Sequence, residues 1–420
     1  MTTTLNGNPL LPYTEIRLPS GFTLVHKELR MAPIIAIDMW IGTGAVHDPE
    51  PHLGLSHFYE HMFFKGTERF GVGVMDRIIT SLGGYNNAAT SLDYTHYYVV
   101  LPSFGWKTAL EVMIDSLRHP LFDPEEIERE RSVVLEEIKR SEDNPWSKIY
   151  DEFTSLAFSR CPYRRNVLGT QDSLQTITRD SFNDYLRNRY HPKNVTISIV
   201  GDIGLQETQD ELNRLLGDFV QEAPSEANRA WDVINAPSEI VIERDVNQSY
   251  LLIGYPTPKL LGTSREYALD ILSMILGEGR SSRLHRRLND ELGIVSSIGC
   301  DAWNLTHAGL FMIEAVTEPS KIPQVEAEIE SELKKAREKI TEEELEKSKS
   351  MSRADFAFSN EKMISIAHTY GYGRITEGID YAVHYQEEIE KVTLQDLAEV
   401  YDRYLSPQRR CRGLLLPKHP

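Results

Sequence analysis

His57, Glu60 and His61 stand together in the stretch GLSHFYEHMFFKGT. On a helix His57 and His61 are i and i+4, one turn apart on one face, with Glu60 beside them. Two imidazoles stacked in this way can share one Zn²⁺ at ~2.0–2.1 Å. A carboxylate between them that is not itself a ligand can take a proton from water activated by the ion. The order is H-x-x-E-H, the inverse of H-E-x-x-H. Histidines four apart also occur by chance on solvated helix faces, so the motif needs a third protein donor.

The segment 124–141 offers one. Asp123, Pro124 and Glu126 form a helix start, with an N-cap, a proline in the first turn and an acidic residue at the third position. Ile127, Glu130, Val134, Glu137 and Ile138 then recur at helical spacing, which places Glu130 and Glu137 on the apolar, inward face. Carboxylates there want a metal or a charge partner. Glu136 falls instead with Arg129 and Arg140, as an expected salt-bridged surface row. The geometry therefore selects Glu137 as the third ligand. Glu130, two turns earlier, is the candidate for a group that orients a ligand.

These residues need a scaffold, and the chain supplies one twice. Strand patterns at TEIRL, GFTLVHKE and IIAIDMWIG read as a hairpin-like meander. Helices are predicted over 55–64 and 73–82, strands at YNNAAT and YTHYYVVLP, helices over 104–118, 124–141 and 178–189, and a strand at NVTISIVGD. The second half runs in the same order, with strands SEIVIERD and QSYLLIGYP, helices 264–276 and 281–290, strands IVSSIGCDA and GLFMIEAV, and helices 322–338 and 341–357. Its closing segment VTLQDLAEVYDRYLSPQR matches ITRDSFNDYLRNRYHPKN, and Thr178 and Thr393, like Pro192 and Pro407, are 215 apart. We read a duplication. The expected fold is α+β, with two homologous domains, 1–217 and 240–420, each an antiparallel-rich sheet with helices packed on one face. The Pro/Ala/Glu-rich segment 218–239 is the expected linker.

Taken together these features resemble the pitrilysin, or insulinase-type, zinc peptidases. Glu137 follows His61 by 76 positions, ERERSVVLEEI and GEGRSSRL match further family segments, and GGYNNAATSLDYTHYYVVLP resembles the family's Asn-Ala-x-Thr strand through Asn87, Ala88, Thr90 and Asp93. The resemblance spans nearly the whole chain, and the length matches the short bacterial and mitochondrial-processing branch, in which one chain is half of a clamshell. It implies that His57, His61 and Glu137 bind one zinc ion and that Glu60 is the general base. Glu130 would be a supporting acid near the site, and the strand holding Asn87, Ala88 and Thr90 would pair with an extended peptide substrate. Mn²⁺ or Co²⁺ would suit the same ligands.

One departure stands out. Family members often carry an Arg and a Tyr after the SSRL element, contributing substrate contacts and a donor to the transition state. The corresponding positions here are Asn289 and Ser296. The resemblance therefore implies a second homologous subunit that brings the Arg/Tyr pair, with a homodimer as the alternative. A catalytically weak structural or assembly subunit, and a metal-dependent hydrolase of something other than peptides, are the competing functions.

Composition narrows the field further. The chain has 420 residues, 40% hydrophobic and 26% charged, enough for two ordinary cores. A net charge of −18 and a pI near 5.2 argue against nucleic acid as the main partner. No G-x-G-x-x-G follows a strand and no G-x-x-x-x-G-K-[ST] occurs, so nucleotide chemistry has no local support. The three cysteines are far apart and show no C-x-x-C spacing, which argues against a disulfide framework and a cysteine zinc site and fits a reducing compartment. No run approaches the ~18 apolar residues of a membrane span. The first residues lack a basic n-region and an apolar h-region, so the expected location is cytoplasmic.

Overall fold

Ile34–Ile41 is rich in β-branched and aromatic residues and buried along nearly its whole length, and Thr95–Pro102 along most of it, as strands inside a covered sheet must be. The computed structural model describes residues 8–219 and 237–418. Its first sheet contains β1 (Thr14–Arg17), β2 (Thr23–Glu28), β3 (Ile34–Ile41), β4 (Tyr85–Thr90), β5 (Thr95–Pro102) and β6 (Val195–Gly201), in the order β1-β2-β6-β3-β5-β4. Its second contains β7 (Ser238–Arg244), β8 (Ser249–Pro258), β9 (Ser297–Asn304), β10 (Ala308–Thr317) and β11 (Cys411–Pro417), in the order β7-β11-β8-β10-β9.

From β2 onward the two orders are the same, and β2–β6 and β7–β11 are parallel while the other described pairs are antiparallel. This is the duplication expected from the sequence. The matching segments become helices Arg179–Arg189 and Leu394–Tyr404, each capped by its threonine, Thr178 or Thr393, and each leading into a strand. That strand corrects the meander reading. β6 inserts between β2 and β3, so those two strands, close in sequence, are not neighbours.

The two compact units are also not simply the halves of the chain. One takes residues up to Ile138, those from Arg165 to the end of the first described stretch, and Ala357–Val383; the other takes Lys139–Arg164, the second described stretch up to Phe356, and the residues from His384 onward. Each unit thus includes a helix from the opposite half of the sequence. In the first unit, Met39 and Tyr97 face the main core, where the Phe63 ring stacks on Tyr97 at 3.8 Å. The other face of that sheet, which carries Asp38, Trp40 and His96, is covered by helix Met363–Ile375. In the second unit, helix Pro145–Ala157 packs on β7, β8 and β11, with Phe153 buried against Gly254 and Gly413. Helices therefore cover both faces of the first sheet. Most of the expected linker 218–239 lies outside the described residues, and its last two positions already belong to β7. Among the described residues no helix is long and apolar enough to cross a membrane.

Candidate active site

The helix Leu55–Phe63 buries Leu55, Phe58, Tyr59, Met62 and Phe63, a stripe at i, i+3, i+4, i+7 and i+8. Burying that stripe turns His57, Glu60 and His61 to the opposite, half-buried face. Asp48 holds the start of the helix: Oδ2 accepts from the Gly54 N–H at 2.7 Å and Oδ1 from the Ser56 N–H at 3.0 Å. The second helix, Pro124–Asp143, begins as its sequence suggests, with Asp123 Oδ1 accepting from the Glu125 N–H at 2.8 Å. Arg131 clamps it by donating to the carbonyls of Leu174 and Ile177.

These two helices bring His57, His61 and Glu137 together. Glu137 Oε2 lies 3.6 Å from His57 Nε2 and 3.5 Å from His61 Nε2, and the two rings are 4.7 Å apart. Bonds of ~2.0–2.1 Å in a tetrahedral zinc site separate neighbouring donors by about 3.3–3.4 Å. The donor set and its spacing therefore fit zinc, with a gap too wide for direct hydrogen bonds. Glu136 is exposed, and Glu137 is half-buried. The expected surface row is corrected in one respect: Arg129 pairs with Glu126, and with Glu125 at 3.9 Å, because its side chain runs back toward the helix start rather than on to Glu136.

Glu130 sits behind the donors, buried, with Oε2 accepting from His61 Nδ1 at 3.0 Å and Oε1 bonded to Lys65 Nζ at 2.7 Å. It touches the nitrogen of His61 that points away from the space an ion would fill, which makes it an orienting group. Burial pushes its carboxyl up, but the hydrogen bonds from His61 and Lys65 outweigh this and hold it below the usual range. For His61, burial acts downward and is outweighed by Glu130, Glu137 and Glu60, so the ring is pushed up. His57 is pulled down to about 3 by burial and by the charge of His61, which leaves it neutral and able to ligate.

Glu60 is the remaining group. Thr90 Oγ1 donates to its Oε2 at 2.5 Å, and among the described residues Oε1 has no hydrogen-bond partner. Burial raises this carboxyl, and the Thr90 bond and the His61 charge act against the rise. Thr90 closes β4, the edge strand of its sheet, which also carries Asn87, exposed, and Ala88, half-buried. Of the three residues expected on the substrate-pairing strand, Thr90 turns its side chain to Glu60. Asn289 and Ser296 lie in the second unit, where Asn289 Nδ2 donates to the Val295 carbonyl at 3.1 Å and Ser296 Oγ to the Val316 carbonyl at 3.3 Å.

Sequence reasoning missed Lys65, although it stands four positions after His61, and missed Asp48. It also missed a second cluster with ligand-type side chains, Asp38, His96 and His368. There His96 Nδ1 lies 3.0 Å from Asp38 Oδ1, His368 Nδ1 lies 2.6 Å from Oδ2, and Trp40 Nε1 also donates to Oδ2. Those are direct hydrogen bonds, with no gap of ionic size.

Residues 24–171 match the family model described as insulinase (peptidase family M16), and residues 176–352 match the one described as the peptidase M16 inactive domain. A Bacillus subtilis protein named as the uncharacterised zinc protease YmxG is 30% identical over 343 residues, covering 81% of this chain and 83% of its own length. The crystal structure of a protease from Helicobacter pylori superposes with a TM-score of 0.91 at 25% identity, covering 97% of this chain and 99% of that one. Pitrilysin shares the fold at a TM-score of 0.82 and 18% identity; the match covers 97% of this chain but 45% of pitrilysin.

Proposed function

The chain belongs to the insulinase family of peptidases, M16, and from that premise we propose that it is a zinc-dependent endopeptidase acting on peptides or unfolded segments. The observation that carries this reading is the ion-sized gap between His57, His61 and Glu137, with Glu60 on the same helix face. Zinc, when bound, supplies Lewis acidity that polarises a carbonyl and acidifies water.

The chain's own residues do the rest. Glu60 takes the proton of the attacking water at Oε1, since Thr90 occupies Oε2. Its raised pKa suits a group that must later return that proton to the leaving amine. Glu130 holds His61 by its Nδ1 and so keeps Nε2 turned toward Glu137. An extended substrate adds to the outer edge of β4, where its backbone meets that of Asn87 and Ala88. Because Thr90 closes this strand, the element that would receive the substrate also orients the base.

A specific observation favours a working unit of two different chains. Asn289 and Ser296 spend their side chains on nearby backbone carbonyls, and neither has the reach of an Arg or a Tyr. We therefore place this chain as the metal-bearing subunit, with a homologous partner supplying the Arg/Tyr pair. The test is zinc content and casein cleavage by the purified chain, alone and mixed with a homologue that carries that pair. Zinc near one per chain with cleavage that rises on mixing is expected, on the order of 10²-fold for a missing oxyanion donor. Full activity alone, unchanged on mixing, would refute the two-chain reading; zinc without cleavage in either case would leave a structural subunit.

A further inference from the structure

The two histidines of the site are supported unequally. The Nδ1 of His57 is buried with no hydrogen-bond partner among the described residues, so no such bond holds that ring from behind. His61 is held through a chain of two bonds, Nδ1 to Glu130 Oε2 at 3.0 Å and Glu130 Oε1 to Lys65 Nζ at 2.7 Å. Donation from Nδ1 selects the tautomer whose Nε2 carries the lone pair, and that nitrogen faces Glu137. Glu130 can do this only while its carboxylate does not rotate away, and Lys65 holds it from the far side. The position of Lys65 is itself set by the chain reversal just after the helix. Gly66 adopts φ +95, and a Cβ there would lie 2.8 Å from the Val72 nitrogen, so the turn demands glycine.

We propose that Lys65 is a positioning residue for the metal, setting zinc affinity through Glu130 and His61. The proposal rests on the zinc reading above. It predicts a sign opposite to simple electrostatics. A cation close to a divalent ion repels it, so by charge alone removing Lys65 would tighten binding. If Lys65 acts by holding Glu130, removing it weakens binding.

Zinc affinity of the full-length chain, stripped and then titrated in competition with a chromophoric chelator, distinguishes the two. The variants are K65M, K65R, E130Q and K65M/E130Q, each checked for unchanged circular dichroism and melting. K65M is expected to bind zinc more weakly, by about the tenfold typical of outer-shell changes, while K65R retains most of the affinity. In the E130Q background, K65M is expected to have no further effect, because the link it acts through is already broken. Equal or tighter binding by folded K65M overturns the proposal, and so does the same loss with and without Glu130. Should K65M not fold, K65Q is read against the same outcomes. A wild-type chain that takes up no zinc overturns the zinc reading itself, a result distinct from wild-type affinity left untouched by the substitution.

Discussion

Glu60 has two carboxylate oxygens, and Thr90 holds one of them. This leaves a base with one open acceptor whose direction is fixed by a neighbouring strand. E60Q keeps the shape and the Thr90 contact but removes the base, so zinc content is expected to stay at the wild-type level while cleavage falls by about 10²-fold or more. Normal cleavage by E60Q would show that another group takes the proton. Glu136 and Glu137 provide a paired test one residue apart. Only Glu137 reaches the two Nε2 atoms, while Glu136 is exposed. After dialysis against a mild chelator, E137Q is expected to lose zinc and E136Q to keep it; equal retention by both would rule out Glu137 as a ligand.

At the scale of elements, the helix Met363–Ile375 has the most demanding fit. A Cβ at Gly371 would lie 2.1 Å from Trp40 Cδ1, and Trp40 is almost fully buried in β3. G371A must push the helix or the indole aside, at a cost of about 1–3 kcal/mol, read as a lower urea midpoint. The same interface carries the fully buried Asp38, which accepts from His96, His368 and Trp40. Burial acts to raise this carboxyl, but the bonds from His368 and His96 and their charges bring it below its ordinary 3.8. A folded-state pKa below the unfolded one adds stability above about pH 4, which is lost as pH falls through the folded value. The stability gap between wild type and D38N is therefore expected to be wide near neutral pH and to narrow in acid. A gap that stays constant down to acid unfolding would mean that Asp38 is not held as the anion.

For the whole molecule, the exchange of segments matters more than the boundary between halves. The first unit includes Ala357–Val383, whose helix covers one face of the sheet that carries the edge strand and packs on β3 and β6. A fragment of residues 1–217 lacks that helix and leaves Trp40 and Asp38 bare. Expressed alone, it is expected to aggregate or to show no cooperative melting. A soluble fragment with a sharp transition would mean that the N-terminal half folds without its borrowed helix.

Local rules were enough for much of this. The i, i+4 spacing of His57 and His61, the apolar stripe that turns them outward from the core, and the Asp123-Pro124 helix start that phases Glu137 inward are all properties of short stretches. The repeat was equally legible, because two similar segments fold under the same short-range preferences, and their equal spacing showed in the sequence. What the sequence could not decide depends on partners far along the chain. β6 inserts between β2 and β3 because a buried strand takes whichever neighbour completes its hydrogen bonds, whatever its distance in sequence. Lys65 becomes part of the site only when Glu130, 65 positions later, comes within 2.7 Å. Helices Pro145–Ala157 and Met363–Ile375, unassigned from the sequence, each gain their place from a sheet built largely by the other half. The meeting of Asp38 with His368 has the same origin. Periodicity tells a residue which way to face, but only the closed tertiary structure supplies what it faces.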